Sequence, residues 1–307
     1  MLSGCGRSQP PIGAPAAAPQ TSASAKHADR GTWMLPGTSS GDLIYANAPG
    51  DWVYIIDYST GSLVTRFNPP ATPVGMCADS AGDVYMAAGA LPGEILKYMH
   101  GETKPIESIE EPGYEPYRCA VDPTTGNLAV FIQDTGDKPI IAIYPDGSGS
   151  PSYYTVSTSM AMPISCTYDY SGNLFADFSV FTGSDSLAEL PAGSQGFDAL
   201  NLNKTTETGG LFWNSTYLAM GYPGGVYHVA VSGSNATIVG NTKVKNGNGR
   251  NLWIQNGDTL LEPYGNESKQ IGFWPYPKGG KPLRTVMQID KHFRHLSSVV
   301  VSVPPSR

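Results

Sequence analysis

The amino-acid sequence predicts an all-β protein: a six-bladed β-propeller of four-stranded blades, closed by the C-terminal strand pairing with the N-terminal blade. Three observations predict this fold. A strand that ends in a turn glycine recurs at a nearly constant spacing, and a second strand-turn-strand element repeats in phase with it. The C-terminal segment supplies the one strand that the first repeat lacks.

The recurring glycine sets the period of the repeat. Its copies are separated by 40, 46, 46, 40 and 46 residues, a spacing within the range of about 40 to 50 residues that propeller blades use. This fixed pitch is the strongest fold signal in the sequence. The glycines are Gly61, Gly101, Gly147, Gly193, Gly233 and Gly279, and the residues three places before them are Tyr58, Tyr98, Tyr144, Leu190, Ala230 and Tyr276.

The second element is an apolar strand, a tight turn and another strand. Its first copy runs over residues 73–79, turns at Gly82-Asp83 and continues into a strand at Val84. Residues 116–122 and 163–169 follow the same pattern, and degenerate copies begin at Leu211 and Leu252. Each unit thus contains about four strands, which is the content of one propeller blade.

The two ends of the repeat region complement each other. Residues 42–68 contain strands that lead to Gly61 but lack the preceding Pro-x-x-x-Cys strand. Residues 295–303 lie at the expected distance beyond Gly279 and have no following strands. Pairing this tail with the first unit removes two open sheet edges, which otherwise invite aggregation.

Composition supports a folded β-rich body and disfavours some functions. The 307 residues include 36 Gly and 26 Pro, which argues against long helices, while 40% hydrophobic residues can form a sizeable core. The net charge of −7 disfavours a nucleic-acid partner, because phosphate binding needs a basic face. No stretch has the 18 or more apolar residues that a membrane helix requires.

The N-terminal residues 1–41 differ from the predicted propeller, residues 42–307. Leu2-Ser3-Gly4-Cys5 resembles a bacterial lipoprotein box, and a Pro/Ala-rich run typical of a flexible tether follows it. If Cys5 is lipidated, the protein is exported to the cell envelope and contacts the membrane only through this anchor, and Gly6 favours the outer membrane or cell surface. The coding sequence would then extend upstream of Met1, because a signal needs a longer leader. A chance tetrapeptide match is the alternative.

The turns resemble those of a known group. The Asp-x-x-Gly-Asp/Asn turn before an apolar strand and the Tyr-Pro-x-Gly turn later in the unit are similar to those of six-bladed propellers of the NHL and SMP-30-like class. The resemblance covers residues 42–303 and, with the N-terminal box, extends to bacterial lipoprotein propellers. It implies a fold rather than a reaction, because propellers include both binding proteins and enzymes.

Two sets of equivalent residues have structural interpretations. Cys77, Cys119 and Cys166 occupy the same place in successive units, and we expect them to be small buried packing residues too far apart for a disulfide. Asp79, Asp122 and Asp169 are expected to accept hydrogen bonds from backbone N–H groups of their hairpin turns rather than to bind a metal.

A ligand-binding rim is predicted where loops lead into the first strand of each unit, because these loops gather around the propeller axis. His292 and His295 could begin a metal site, but a third ligand is not visible. A solvated basic loop is the default interpretation of residues 291–295, and an anion contact is the functional alternative. The predicted rim consists of Glu115, Tyr117, Arg118, Trp213, Arg250, Trp253, His292, Arg294 and His295.

Two classes of function remain. The favoured one is a non-enzymatic envelope-anchored binding or scaffold propeller that recognises a protein, peptide or glycan, with no cofactor, metal or catalytic residue. The alternative, implied by the resemblance, is an SMP-30-like lactonase or esterase, or a streptogramin-lyase-like enzyme, with a divalent cation such as calcium in the central channel. Three or more oxygen or imidazole ligands converging in the channel would favour the enzyme, and an apolar or hydroxyl-lined channel would favour the binding protein.

Overall fold

The computed structural model describes residues 41–48, 52–89, 91–134, 136–157, 159, 161–180, 184–204 and 209–305. The chain divides into units Met1–Trp33 and Met34–Arg307, and only the second contains described residues. Cys5 and the Pro/Ala-rich run therefore lie outside them. No helix in these ranges combines the length and apolar character needed to cross a bilayer.

The regular secondary structure of the described residues is almost entirely β-strand, because β-branched and aromatic runs alternate with turn residues throughout. Only two short 3-10 turns interrupt them, at Pro145–Gly147 and Asn266–Ser268. The first eleven strands are β1 (Leu43–Ala48), β2 (Trp52–Asp57), β3 (Leu63–Phe67), β4 (Pro73–Ala78), β5 (Val84–Ala88), β6 (Gly93–Tyr98), β7 (Glu107–Glu111), β8 (Glu115–Val121), β9 (Leu128–Gln133), β10 (Pro139–Tyr144) and β11 (Ser152–Thr155).

The remaining strands continue the same alternation of strand and turn. They are β12 (Ala161–Tyr168), β13 (Leu174–Val180), β14 (Ser184–Leu190), β15 (Asp198–Leu202), β16 (Leu211–Trp213), β17 (Leu218–Tyr222), β18 (Gly225–Ser232), β19 (Asn235–Lys243), β20 (Trp253–Gln255), β21 (Thr259–Tyr264), β22 (Gln270–Pro275), β23 (Arg284–Val286) and β24 (Ser298–Ser302).

The strands form a β-propeller arrangement of four four-stranded sheets and one eight-stranded sheet. The four-stranded sheets have the orders β24-β1-β2-β3, β4-β5-β6-β7, β11-β10-β9-β8 and β20-β21-β22-β23. The eight-stranded sheet contains two antiparallel runs, β12 to β15 and β16 to β19, joined where β15 and β19 pair in parallel. The sequence predicts separate four-stranded sheets throughout, so this junction is a difference from that prediction.

The junction arises where two outer edges meet. Asn201 pairs with Asn235 and Leu202 pairs with Ala236, and the Asn203 side-chain oxygen accepts a hydrogen bond of 2.9 Å from the Ile238 N–H. These contacts satisfy backbone groups that an open edge would expose.

The predicted closure by the C-terminal strand is confirmed. β24 pairs antiparallel with β1, with Leu43 opposite Ser302 and Asn47 opposite Ser298. Both strands are buried along their whole length. The tail thus completes the sheet that begins at Leu43.

The core lies between neighbouring sheets. Of the tyrosines that precede the recurring glycines, Tyr98, Tyr144 and Tyr276 are buried, and Tyr58 is half-buried against Phe273. Burial of one such aromatic side chain contributes about 1.5 to 3 kcal/mol. The tyrosines of the repeat therefore mark positions where a large aromatic side chain packs between sheets.

The predicted aspartate turns are confirmed. The Asp79 carboxylate accepts hydrogen bonds of 2.9 Å from the N–H groups of both Ala81 and Asp83. Asp122 and Asp169 make the equivalent contacts in the hairpins that follow β8 and β12. Each carboxylate thus replaces water for backbone donors that the turn leaves unpaired.

The prediction for the cysteines is wrong in part. Cys77 and Cys119 form a disulfide, with their Cα atoms 5.5 Å apart. Equivalent positions in successive units are close enough because β4 and β8 converge toward the centre of the propeller. Cys166 is the free and buried cysteine of the described residues, as expected of a packing residue.

Candidate functional site

Six strands surround a common centre, and each stands at one end of a four-strand run. We call them the inner strands: β24, β4, β8, β12, β16 and β20. Each neighbouring pair is joined by a hydrogen bond or a covalent bond at or beside the two strands, so the centre is a closed ring.

The first half of this ring, β4, β8 and β12, is joined through side chains. The Cys77–Cys119 disulfide links β4 to β8. The Arg118 guanidinium then spans all three strands, because it donates to the Val74 carbonyl on β4 (2.6 Å) and to the Ile164 carbonyl on β12 (3.1 Å).

The second half, β16, β20 and β24, is joined mainly through backbone. The Gly210 N–H before β16 donates to the Gly249 carbonyl before β20 (2.9 Å). The Val299 N–H on β24 donates to the Asn251 side-chain oxygen (2.7 Å). The ring closes where the Leu211 N–H bonds the Ser165 hydroxyl oxygen on β12 (2.9 Å) and the Met76 N–H bonds the Ser298 hydroxyl oxygen (3.2 Å).

The inner strands of the first half share a β-bulge. Pairing with the next strand shifts between Pro73 and Gly75, and shifts in the same way after Pro116 and Pro163. A bulge of this kind redirects the side chains that follow it. On β8 the residue that follows the bulge is Arg118.

The inner strands enclose a cavity of about 220 Å³. Its wall is mostly apolar and aromatic, with Trp213 and Trp253 on one side. Its polar groups are the guanidinium of Arg118, the amide of Asn251 and hydroxyl groups on β12 and its following turn, from Ser165, Thr167, Tyr168 and Tyr170. The cavity therefore combines an apolar wall with one fixed positive charge, a composition that suits ligand binding.

Arg118 is held rigidly at the wall. Its Nε and Nη1 groups donate to the carbonyls of Ile164, Val74 and Tyr117, the last at 2.9 Å. A Cβ at Gly75 would lie 3.0 Å from Arg118 Cδ and 2.3 Å from the Tyr117 carbonyl oxygen, so the absence of a side chain at residue 75 makes room for this contact. Burial lowers the pKa of Arg118, and the nearby Cys166 acts in the opposite direction.

The nucleophilic groups in the wall are not activated. Burial raises the pKa of the Cys166 thiol to about 12, so the thiol stays protonated near neutral pH. The Ser165 hydroxyl oxygen accepts a hydrogen bond from Leu211. Among the described lining residues there is no His, Asp, Glu or Lys that could act as a general base.

A divalent cation does not fit these residues. Calcium and similar ions need several carboxylate, carbonyl or imidazole ligands. The cavity wall contains no described carboxylate or imidazole, and no group of three His, Cys, Asp or Glu side chains suited to a metal occurs in the ranges that the structure covers. A guanidinium in the wall repels a cation, so the donor set suits an anion.

The predicted rim residues fall in different places, and only Arg118, Trp213 and Trp253 line the cavity. Glu115 and Tyr117 form a separate pair at the start of β8, with a 2.8 Å hydrogen bond from the Tyr117 hydroxyl to the carboxylate. Desolvation and this hydrogen bond raise the pKa of Tyr117 to about 12.

Apart from Arg118, the basic residues of the predicted rim lie away from the cavity wall. Arg250 is exposed just before β20. The His292 ring lies 5.8 Å from the Trp52 ring, which places it over β2. Arg294 and His295 are exposed in the same loop. The structure thus does not bring His292 and His295 together with Arg118.

The sequence analysis did not single out several lining residues. Ser165, Thr167 and Tyr168 lie on the same inner strand as Cys166, and Asn251 immediately precedes Leu252, a position that the repeat did identify. These residues could have been found as polar residues on the predicted inner strands, because a polar side chain there faces either the cavity or a neighbouring sheet.

Comparison with known proteins places the fold. No family model matches the chain, and no curated protein matches it. A chain in the crystal structure of a nidogen/laminin complex is similar, with a TM-score of 0.65, 12% identity and coverage of 87% of this chain and 100% of that chain. A protein of unknown function from Bacteroides caccae is similar with a TM-score of 0.62 and 13% identity, over 85% of this chain and 99% of that chain. The β-propeller domain of Cps50 (Swd1) from Myceliophteria thermophila is similar with a TM-score of 0.55 and 10% identity, over 83% of this chain and 88% of that chain.

These similarities confirm the β-propeller fold and nothing narrower. At 10 to 13% identity, a shared fold carries no shared ligand or activity. The propeller prediction is therefore confirmed. The narrower resemblance to the NHL and SMP-30-like class stays a prediction.

Proposed function

We propose that the protein is a non-enzymatic binding or scaffold module of the bacterial cell envelope, which recognises a protein, peptide or glycan at one face of a propeller. The observation that carries the proposal is the central cavity, which every inner strand helps to line. An apolar and aromatic wall with a few fixed polar groups is the usual composition of a binding site. The propeller fold is compatible with such a role.

The six four-strand runs are best counted as six blades. The fold is then a six-bladed propeller of four-stranded blades, as the sequence predicts. Only two residue pairs join β15 to β19, whereas seven pairs join β13 to β14. Each run also contributes one inner strand to the same cavity. The eight-stranded sheet is then two blades whose outer edges touch.

The ligand enters on the hairpin side of the cavity. Ala78, Val121 and Pro123 line the cavity at the ends of β4 and β8, next to the aspartate turns. Tyr170, in the equivalent turn after β12, lines the same opening and is 63% exposed. The predicted rim at the start of the inner strands lies at the opposite ends of β4, β8 and β12, so it is a second and weaker candidate for contact.

The chemistry of the wall supports binding over catalysis. The described lining residues combine unactivated hydroxyl and thiol groups with a cation and no base. The metal-dependent lactonase or esterase alternative needs a ligand set that these residues do not provide.

A blocked cavity provides the direct test. Ala78→Phe places a ring in the opening, and Ala199→Phe adds the same ring to an exposed position on the outer strand β15. We expect wild type to bind members of a synthetic decapeptide library or a glycan array, Ala199→Phe to bind equally, and Ala78→Phe to lose binding at least tenfold. Equal binding by all three proteins would remove the cavity from the proposal.

The enzyme alternative is tested on the same protein. Metal analysis and a panel of lactones and esters, each with and without chelator, should show no stoichiometric cation and no turnover. Turnover that the chelator abolishes would replace the binding proposal with the metal-dependent one.

The envelope location rests on residues 2–5 and has its own test. Expression from the native gene with labelled palmitate should label the wild-type protein but not Cys5→Ser. Equal labelling, or none in either protein, would leave the propeller without its proposed anchor.

A further inference from the structure

The cavity presents a cation whose hydrogen-bonding capacity is only partly used. The Nε and Nη1 groups of Arg118 donate to three carbonyls, which fixes the plane of the guanidinium. Its Nη2 group makes no hydrogen bond to any residue that the structure describes. The Nη2 group of a guanidinium held in one orientation at a cavity wall can donate a charge-assisted hydrogen bond to a carboxylate oxygen.

The charge of Arg118 is also unbalanced. The ion pairs among the described residues involve Arg66, Lys97 and Lys269, and none involves Arg118. No described carboxylate lines the cavity. A charge removed from water without a counterion is costly, and an anion that enters the cavity offsets this cost.

We propose that Arg118 binds the carboxylate of the ligand, and that this ligand is the C-terminus of a peptide or protein whose last side chain is apolar. The inference rests on the proposed function, since it requires that the cavity is a binding site. It adds the chemical group that is recognised and the residue that recognises it.

The size and polarity of the cavity favour a chain end over a glycan. About 220 Å³ is below the range of about 300 to 1,000 Å³ that whole small-molecule ligands occupy, so the space suits a terminal group. The cavity wall that contains Arg118 also includes Met76, Val121 and Leu252, which match an apolar side chain. The Trp253 indole N–H already donates to Gln255 (2.9 Å), which leaves fewer polar groups for sugar hydroxyls.

The experiment compares ligands that differ only in the terminal group. The probes are a pool of hexapeptides ending in Leu, Phe or Val with a free carboxylate, the same pool amidated, the isosteric pair phenylacetate and phenylacetamide, and glucuronate. Calorimetry measures binding, and the fluorescence of Trp213 and Trp253 in the wall reports on occupancy. We expect the free peptides to bind at least about tenfold more tightly than the amides, and glucuronate to bind more weakly than phenylacetate.

Three variants assign the effect to Arg118. Arg118→Gln should abolish the preference for carboxylate over amide. Lys281→Gln, at an exposed lysine outside both the cavity wall and the predicted rim, should leave it unchanged. Because Arg118→Gln also loses contacts to three strands, Thr167→Glu provides an independent route: it keeps Arg118 but places a carboxylate in the same cavity, and it should abolish carboxylate binding while raising thermal stability.

The outcomes separate this inference from the proposed function. Loss of the carboxylate preference in both Arg118→Gln and Thr167→Glu supports it. Equal binding of free and amidated peptides, with loss of both in Ala78→Phe, overturns the carboxylate inference but leaves the binding function in place. Tighter binding of glucuronate than of any peptide keeps the anion but overturns the peptide as its source. Failure of every carboxylate probe to bind overturns the inference.

Discussion

The two halves of the inner ring reach the same closed geometry by different means. Around β4, β8 and β12 the neighbouring strands are held by side chains, namely a disulfide and an arginine that spans all three strands. In the second half, β16 and β20 are held by close backbone approach, and β24 is linked to them through the Asn251 side chain. A Cβ at Gly209 or at Gly221 would lie only 2.0 Å from the Gly249 carbonyl oxygen.

This difference explains why the repeat is clear in one half and degenerate in the other. A side-chain link needs particular residues at fixed places, so Cys77 and Cys119 recur in register, as do the prolines at or near the start of β4, β8 and β12. A backbone link needs only glycine where the two backbones touch. The other residues in and around the short strands β16 and β20 can therefore vary, and the repeat is harder to see there. Glycines in this half are therefore the counterpart of the cysteines in the first half.

The halves also differ in their buried titratable groups. In the first half, no described carboxylate pairs with Arg118. In the second half Glu262 is completely buried, and its Oε2 atom accepts a 2.6 Å hydrogen bond from the Gly249 N–H while Oε1 has no partner among the described residues. Burial raises the pKa of Glu262 to about 8.

Removal of the disulfide should produce the largest effect on the first half. The Cys77→Ser, Cys119→Ser double variant opens a crosslink across 42 residues of chain, which corresponds to a loss of about 4 kcal/mol in the free energy of unfolding. Urea denaturation with and without reductant measures it. Wild type with reductant should match the double variant, and Cys166→Ser should keep the full response to reductant. A wild-type protein unaffected by reductant would contradict the side-chain account of this half.

Filling the backbone contact should produce the next largest effect, on the second half. Gly221→Ala places a methyl group against the Gly249 carbonyl, and overpacking of this kind costs about 3 kcal/mol. The matched control is Gly196→Ala, because a Cβ there meets nothing within 4 Å. Urea denaturation of both variants makes the comparison. If Gly221→Ala were as stable as Gly196→Ala, close backbone approach would not be what determines the stability of the second half.

The buried carboxyl should make stability depend on pH. Since the folded pKa of Glu262 is about 8 against 4.5 in the unfolded chain, the folded state holds a proton that the unfolded state releases. This contribution is complete below about pH 4.5 and decreases as the pH rises toward 8. Glu262→Gln should lack the decrease and gain about 3 to 4 kcal/mol over wild type between pH 5 and pH 8, measured by denaturation at both values.

A matched variant isolates this pH effect. Glu110 is exposed on β7, so Glu110→Gln should keep the pH dependence of wild type. If Glu262→Gln followed the same pH profile as wild type, the Glu262 carboxyl would already be ionised in the folded protein at neutral pH.

The junction between the halves should give the smallest effect. Asn203 is exposed, and its side chain bonds the Ile238 N–H beside the two-residue pairing of β15 with β19. Asn203→Ala should therefore cost less than about 1 kcal/mol and raise amide exchange only near Ile238. A larger loss, with exchange spreading through β12 to β19, would mean that the eight strands unfold as one sheet.

Much of the fold could be predicted from the sequence, because the repeat is marked by turn residues at a regular spacing. Gly61 to Gly279 gave the period, Asp79 and its counterparts gave the hairpins, and the unmatched tail gave the closure. The pairing of β15 with β19 could not be predicted, because it depends on the distance between two outer edges and not on any residue pattern.

Less of the candidate site could be predicted. Arg118, Trp213 and Trp253 were chosen for their place before or on inner strands, and they line the cavity. Glu115 and His292 were chosen by the same reasoning and lie elsewhere, because that reasoning could not tell which end of the inner strands opens into a cavity. The disulfide was missed because the convergence of β4 and β8 at the centre is a property of the assembled ring.

The pairing of β24 with β1 has a consequence for biosynthesis. The partner of Leu43 is Ser302, so a ribosome that adds about 5 to 20 residues each second makes the second strand tens of seconds after the first. During that interval the buried edge of β1 is without its neighbour while later sheets are already emerging. The nascent chain must therefore shield this edge, and chaperones that hold extended apolar segments are a natural means of doing so.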